Sequence, residues 1–253
     1  MSRIIKVMYS TLFVFILLLS LISCDNSIHY ENVITFNSTE LHEAHKYKAI
    51  VTIHMGIKEV ALLIRKLKTI KNNYFEFGVG GSTELACLIS ESLTTKFNIY
   101  AIDSSEEWIN KVKEKSCIKN MIINNKINFT FVNTGKVGAF GVPLEHDKKS
   151  FYPSYSNAII QLHNESIPID LILVDGRFRQ SCVLNSLLMY PNAEILIHDF
   201  YEPSHHRNYK NLQEYAYVLE SADTLVHLKR KALSDEYIKA KSNELSINFH
   251  RKN

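Results

Sequence analysis

The 253-residue chain has almost no excess of either charge: 29 basic side chains face 26 acidic ones, leaving a net +3. That balance, and the lack of any basic stripe interleaved with aromatics, argues against a nucleic-acid partner. The lysines at Lys111, Lys113 and Lys115 read instead as one solvated helix face. Cysteine is scarce as well. None of Cys24, Cys87, Cys117 and Cys182 is spaced as C-x-x-C, and setting Cys24 aside leaves an odd number, so no disulfide framework is implied. Cys87 and Cys182 are expected to be small buried hydrophobes on apolar helix faces. Internal repeats and low-complexity stretches are missing. So is the lysine-bearing G-x-x-x-x-G-K of a P-loop, and a dinucleotide fingerprint starting at Gly78 fails because Thr83 stands where its last glycine belongs.

What the chain does have is apolar bulk. With 46% hydrophobic and 22% charged residues, it can bury a sizeable core in one or two domains. Residues 1–24 stand apart from that core. Arg3 and Lys6 precede an apolar stretch from Leu12 to Ile22, the shape of a secretory signal or a short membrane anchor. It falls short of the roughly 20 apolar residues that a comfortable span needs. Leu21-Ile-Ser-Cys24 has the form of a bacterial lipobox, whose cysteine becomes the lipidated first residue. A eukaryotic signal or anchor is the rival, and the sequons at Asn37, Asn128 and Asn164 suit it. Either way the segment lies outside the fold and implies a membrane-anchored or secreted protein, with export and membrane attachment through the N-terminus favoured. Residues 25–54 read as a linker and N-terminal cap, and 55–253 as the folded domain.

Within that domain, apolar strands alternate with helical patterns. Ile57, Val60, Ala61, Ile64 and Leu67 recur at helical spacing. Strands are expected at 74–77, 98–103, 127–132, 169–174 and 194–197, with helices between them, one running from Ser105 to about Lys115 and another over 178–190. A helix carrying Leu212, Tyr215, Ala216 and Leu219, then a strand at 224–228, would close the sheet. This order predicts an α/β fold with a Rossmann-like, doubly wound, mostly parallel sheet, which binds its ligands outside the carboxyl ends of the strands.

Polar residues gather at those ends. Between the first strand and its helix lies Tyr74-Phe-Glu-Phe-Gly78-Val-Gly80-Gly81-Ser82-Thr83, and the second strand ends at Asp103, 23 residues after Gly80. A glycine turn lets a ligand approach the backbone, a helix start offers unpaired N–H groups, and an acid about 20 residues on accepts from ribose hydroxyls. The later strands end at Asn133 and Thr134, at Asp175, and at His198 with Asp199. Taken singly, each is also a common turn or cap residue.

The segments Glu76-x-Gly78-x-Gly80-Gly81-Ser82-Thr83, Gly138-Ala-Phe-Gly-Val-Pro143, Val174-Asp-Gly-Arg-Phe-Arg179 and Ile197-His-Asp-Phe200 together resemble a class I S-adenosylmethionine (SAM)-dependent methyltransferase-like family. The likeness covers roughly residues 55–230. Phe140 stands where that family carries tryptophan, which keeps an aromatic surface and removes an indole donor. The resemblance implies SAM as cofactor, with Glu76, Gly78, Gly80, Ser82 and Thr83 around its methionine part, Asp103 on the ribose and Ser104 near the adenine. Thr134 and Gly135 would border the adenine or the acceptor.

It also implies a methyl acceptor, a small molecule or a saccharide hydroxyl. Asp175 and Asp199 resemble the positions at which metal-dependent O-methyltransferases hold a divalent cation, and oxygen ligands suit Mg²⁺. Phe200 follows where such enzymes carry Asn or Asp, so the ligand set lacks its third member and the metal-free route is preferred. In that route His198 is the general base. Equally open is a histidine that only bonds a loop carbonyl. Arg177 and Arg207 are read as clamps for the acceptor, and Arg179 as a structural partner of the aspartates. A non-catalytic module that binds a nucleoside or glycan is the alternative to an enzyme, since SAM is normally cytosolic.

Overall fold

The computed structural model describes residues 31–201 and 209–247. Residues 1–24, with the signal-like stretch and Cys24, and the segment carrying Arg207, His205 and His206 lie outside the described residues. Among the described residues no helix is long and apolar enough to cross a membrane.

Helices α1 (Ser38–Ile50) and α2 (Ile57–Leu67) precede β1 (Asn73–Phe77), α3 (Gly81–Ser92) and β2 (Asn98–Asp103). Then come α4 (Glu106–Lys113), α5 (Ser116–Ile123), β3 (Ile127–Phe131), α6 (Pro153–Asn164), β4 (Leu171–Val174), α7 (Arg179–Met189) and β5 (Glu194–Ile197). The hairpin β6 (Ala216–Ala222) and β7 (Leu225–Arg230) and the helix α8 (Asp235–Ser246) follow among the described residues. The strands form one seven-stranded sheet in the order β3-β2-β1-β4-β5-β7-β6, parallel except where β7 runs against β5 and β6. The α/β sheet expected from the sequence is therefore present.

The sheet is buried on both faces because its strands alternate between two apolar layers. Tyr74, Leu171 and Leu173 face the layer formed with Leu62, Leu63, Leu85 and Ile89 of α2 and α3. Phe75, Phe77, Ile172 and Val174 face the layer formed with Tyr155, Cys182, Val183 and Leu187 of α6 and α7. Strand order reverses between β1 and β4, and the crevice at such a switch point is where ligands sit in open sheets.

Two local expectations are corrected. The helix read through Leu212, Tyr215, Ala216 and Leu219 is a 3-10 turn (Lys210–Glu214) followed by β6. Its apolar residues meet the core in strand alternation, Ala216 and Val218 buried with Tyr217 and Leu219 exposed, and pairing with β7 settles the conformation. The helix expected from Ser105 to about Lys115 is present as α4, and a further helix, α5, follows from Ser116. Ser105 caps α4 by accepting from the Trp108 N–H. Finally, Cys87 is not a free buried thiol but is bridged to Cys117, which ties α3 to α5. Cys182 is free and buried, as expected.

Ahead of α1, Ile34 N–H donates to Ser221 O and Ser221 N–H donates to Asn32 O, so the chain near Val33 covers the outer edge of β6. That pairing protects an edge that would otherwise offer unpaired backbone groups.

Candidate functional site

The turn after β1 is held from below. Gly78 takes φ +99°, and its N–H donates to Ile102 O at 2.9 Å. A Cβ there would stand 2.7 Å from the Gly176 nitrogen, so β1 and β4 meet at this point only because the residue is glycine. Beneath the turn, Glu76 is completely buried and accepts from the hydroxyls of Tyr74 (3.0 Å), Ser82 (2.8 Å) and Thr83. Thr83 Oγ1 in turn accepts from Gly80 N–H at 2.9 Å. Burial pushes the Glu76 carboxyl up to about 7, against the opposing pull of its three hydroxyl donors. Glu76, Ser82 and Thr83 thus brace the turn, whose own N–H groups at Gly78, Val79 and Gly80 are held by Ile102 O, Asp103 and Thr83.

Asp103 ends β2 beside that turn. Its Oδ2 accepts from Val79 N–H at 3.0 Å and its Oδ1 from Ser105 N–H at 2.8 Å. Burial raises its pKa, and the N–H groups of Val79, Ser105 and Ser104 oppose that rise. Three N–H donors take three of the carboxylate's four lone-pair directions, leaving one for a ligand hydroxyl. Trp108, which the sequence did not single out, donates from Nε1 to Val79 O at 2.6 Å and closes the outer side of the turn.

At the ends of β4 and β5 lies a charge cluster. His198 Nδ1 is 2.9 Å from Asp175 Oδ1 and 3.6 Å from Asp199 Oδ1, and Nε2 is 3.4 Å from Glu59 Oε2. Arg179 bridges the two aspartates at 3.0 Å (Asp175) and 2.8 Å (Asp199), and also donates to the carbonyls of Asp175, Gly176 and His198. Burial works against a charged His198, but Asp175, Glu59 and Asp199 outweigh it and carry the ring up to about 10. Burial likewise works against the Glu59 carboxylate. The hydrogen bond and charge of His198, with donors from Thr224 and Gly56, outweigh it and bring Glu59 down to about 2.

The paired roles follow from these charges. An imidazole held between two carboxylates keeps its proton at neutral pH, so it does not offer the free lone pair that a general base needs. Glu59 is the member that sequence reasoning missed; its signal was a carboxylate next to Val60 on the buried face of α2. Asp175, His198 and Asp199 also converge closely enough to be considered as cation ligands. The Arg179 guanidinium binds both carboxylates in this arrangement, so a divalent ion would have to displace it.

Arg177, between Gly176 and Phe178, is placed differently from Arg179. Gly141 (φ +69°) lies over it, with a Cβ position 3.1 Å from Ser104 Oγ and 3.7 Å from Arg177 Cγ. Arg177 therefore spans the ground between the end of β4 and the end of β2. Its Nε is buried without a hydrogen-bond partner, as is the hydroxyl of Thr134 after β3. Arg207, the other expected clamp, lies outside the described residues.

No protein-family model matches the chain, and no curated protein matches it in sequence. Solved structures do match. A methyltransferase-like protein of Silicibacter pomeroyi superposes with a TM-score of 0.62 at 21% identity, over 78% of this chain and 97% of its own. The O-methyltransferase from Bacillus cereus in complex with SAH gives a TM-score of 0.45 at 14% identity, over 78% and 94%. The SAH-bound methyltransferase of Podospora anserina gives 0.44 at 11%, over 79% and 91%. The first of these shows the fold: the chain shares the Rossmann-like architecture of that protein.

Proposed function

We propose that the chain is a SAM-dependent methyltransferase that methylates a hydroxyl of a small molecule or saccharide. The observation that carries this reading is the braced glycine turn at the switch point, with Asp103 beside it. The glycines of that turn allow the methionine part to approach closely, Asp103 fits the ribose hydroxyls and Ser104 the adenine side. Bound SAM would supply an electrophilic methyl group on a sulfonium. The protein's contribution is then to hold an acceptor hydroxyl in line and exclude water. With His198 already protonated, Asp199, half-buried at the rim of the cluster, is the carboxylate assigned to receive the hydroxyl hydrogen bond. Calorimetry with S-adenosylhomocysteine tests the reading, and no binding to the full-length chain would end it.

A second reading has one observation behind it. The Cys87–Cys117 bridge points to maturation in an oxidising compartment, where a cytosolic cofactor is not made. A non-catalytic module that binds a nucleoside or glycan suits that setting; it would bind the nucleoside without transferring label from methyl-labelled SAM. Under either reading we place the protein outside the cytosol, attached to a membrane by its first 24 residues. Recovery of unprocessed chain only in the soluble cytosolic fraction would refute that placement.

A further inference from the structure

Two arginines two residues apart have opposite surroundings. Arg179 makes two ion pairs and donates to three carbonyls. Arg177 makes no hydrogen bond or ion pair from its side chain to any described residue, and its Nε is buried without a partner. The carboxylates around it are engaged elsewhere: Asp103 holds Val79 and Ser105 N–H, and Asp175 holds His198 and Arg179. Burial, then the like charge of Arg179, disfavours the Arg177 cation. A guanidinium kept in such a place calls for an oxyanion from outside the chain, because its planar fork matches a carboxylate or phosphate with two parallel hydrogen bonds.

Beside it stands an aromatic surface in a constrained backbone. Phe140 takes φ +56°, a left-handed conformation unusual for a bulky side chain, and the residue is 81% exposed. The adjoining Gly141 packs between Ser104 and Arg177. Cation and exposed ring therefore flank the same short loop at the carboxyl edge of the sheet.

We propose that Arg177 binds an oxyanion carried by the methyl acceptor, so that the substrate is a hydroxylated ring acid rather than a neutral alcohol. This rests on the methyl-transfer reading of the site. The shared chemistry is a carboxylate on a hydroxylated ring, and an aromatic acid or a sugar acid would supply it.

The test is calorimetry on the full-length chain in detergent, saturated with S-adenosylhomocysteine. The probes are 3,4-dihydroxybenzoate against catechol and D-glucuronate against D-glucose. At least one acid should bind about tenfold or more tightly than its neutral counterpart, and the pair that discriminates identifies the ring class. Arg177→Met should abolish the discrimination while S-adenosylhomocysteine affinity stays within about threefold of wild type; Arg177→Lys should retain part of it as a point charge. Equal or absent binding of acids and neutral compounds overturns the proposal. So does discrimination that survives in Arg177→Met, or a loss of S-adenosylhomocysteine affinity in that variant, which would assign the arginine to the cofactor's own carboxylate. Failure of the wild type to bind S-adenosylhomocysteine overturns the methyl-transfer reading itself, and this proposal with it.

Discussion

Nε2 of His198 lies 3.4 Å from Oε2 of Glu59, joining the end of β5 to the first turn of α2 across the sheet edge. With Asp175 on its other nitrogen, the ring is a buried cation whose removal leaves two carboxylates facing each other's charge. His198→Gln should therefore lower stability at neutral pH by about 3–5 kcal/mol, the usual cost of breaking a buried pair. Its pKa is raised from 6.5 to about 10, so the stabilisation is complete below 6.5 and is lost as pH rises through about 10. Glu59 moves the other way: its contribution is present above 4.5 and is lost as pH falls through about 2. Urea unfolding at a series of pH values checks both limbs. A wild-type ring seen deprotonated by NMR at pH 8 would contradict the clamp.

Because Arg179 occupies the place between Asp175 and Asp199, a chelator should change neither S-adenosylhomocysteine affinity nor any methyl transfer. Turnover that falls with EDTA and returns with Mg²⁺ would show that the guanidinium yields its place to a cation.

Asp103→Ala should weaken S-adenosylhomocysteine binding roughly ten- to a hundred-fold, since unpaired buried hydroxyls cost about 1–3 kcal/mol. The same change frees the N–H groups of Val79 and Ser105, so Asp103→Asn, which keeps an acceptor oxygen, should lose less. Equal losses in calorimetry would assign the effect to the ribose contact alone.

Glu76 gives a pH dependence of the opposite sense to that of Glu59. Its carboxyl is raised from 4.5 to about 7, so its favourable contribution is full below 4.5 and is lost as pH rises through about 7. Ionising it in place should cost the native state about 3 kcal/mol. Melting of Glu76→Gln should lack this decline between pH 4.5 and 7, whereas an identical decline in the variant would locate it elsewhere.

Reducing the Cys87–Cys117 bridge reopens a loop with a sequence separation of 30 residues. In the chain-entropy account this costs about 3–4 kcal/mol. Dithiothreitol should lower the melting temperature of the wild type and leave Cys87→Ala/Cys117→Ala unaffected. A wild type insensitive to reductant would show that the bridge contributes nothing to stability.

Most of the sheet was legible because its signals are local. Apolar runs bounded by turn residues marked β1 to β5, and the spacing from Gly80 to Asp103 placed a glycine turn and an acid at neighbouring strand ends. β6 was misread because Leu212, Tyr215, Ala216 and Leu219 satisfy helical spacing, and only the ladder to β7 distinguishes the two conformations. The bridge was missed for a related reason, since Cys87 and Cys117 sit on helices whose packing no spacing rule reports.

The amino-acid sequence by itself determined the order of strands and helices and the residues delivered to each strand end, because periodicity and turn chemistry act over a few residues. The tertiary structure decided what those residues do to one another. Strand order set Gly78 against Gly176, brought Glu59 from α2 to His198 at the end of β5, and made Arg179 a structural cation while leaving Arg177 without a partner among the described residues. Charge, burial and proton affinity depend on neighbours far apart in the chain, and those neighbours exist only once the sheet has formed.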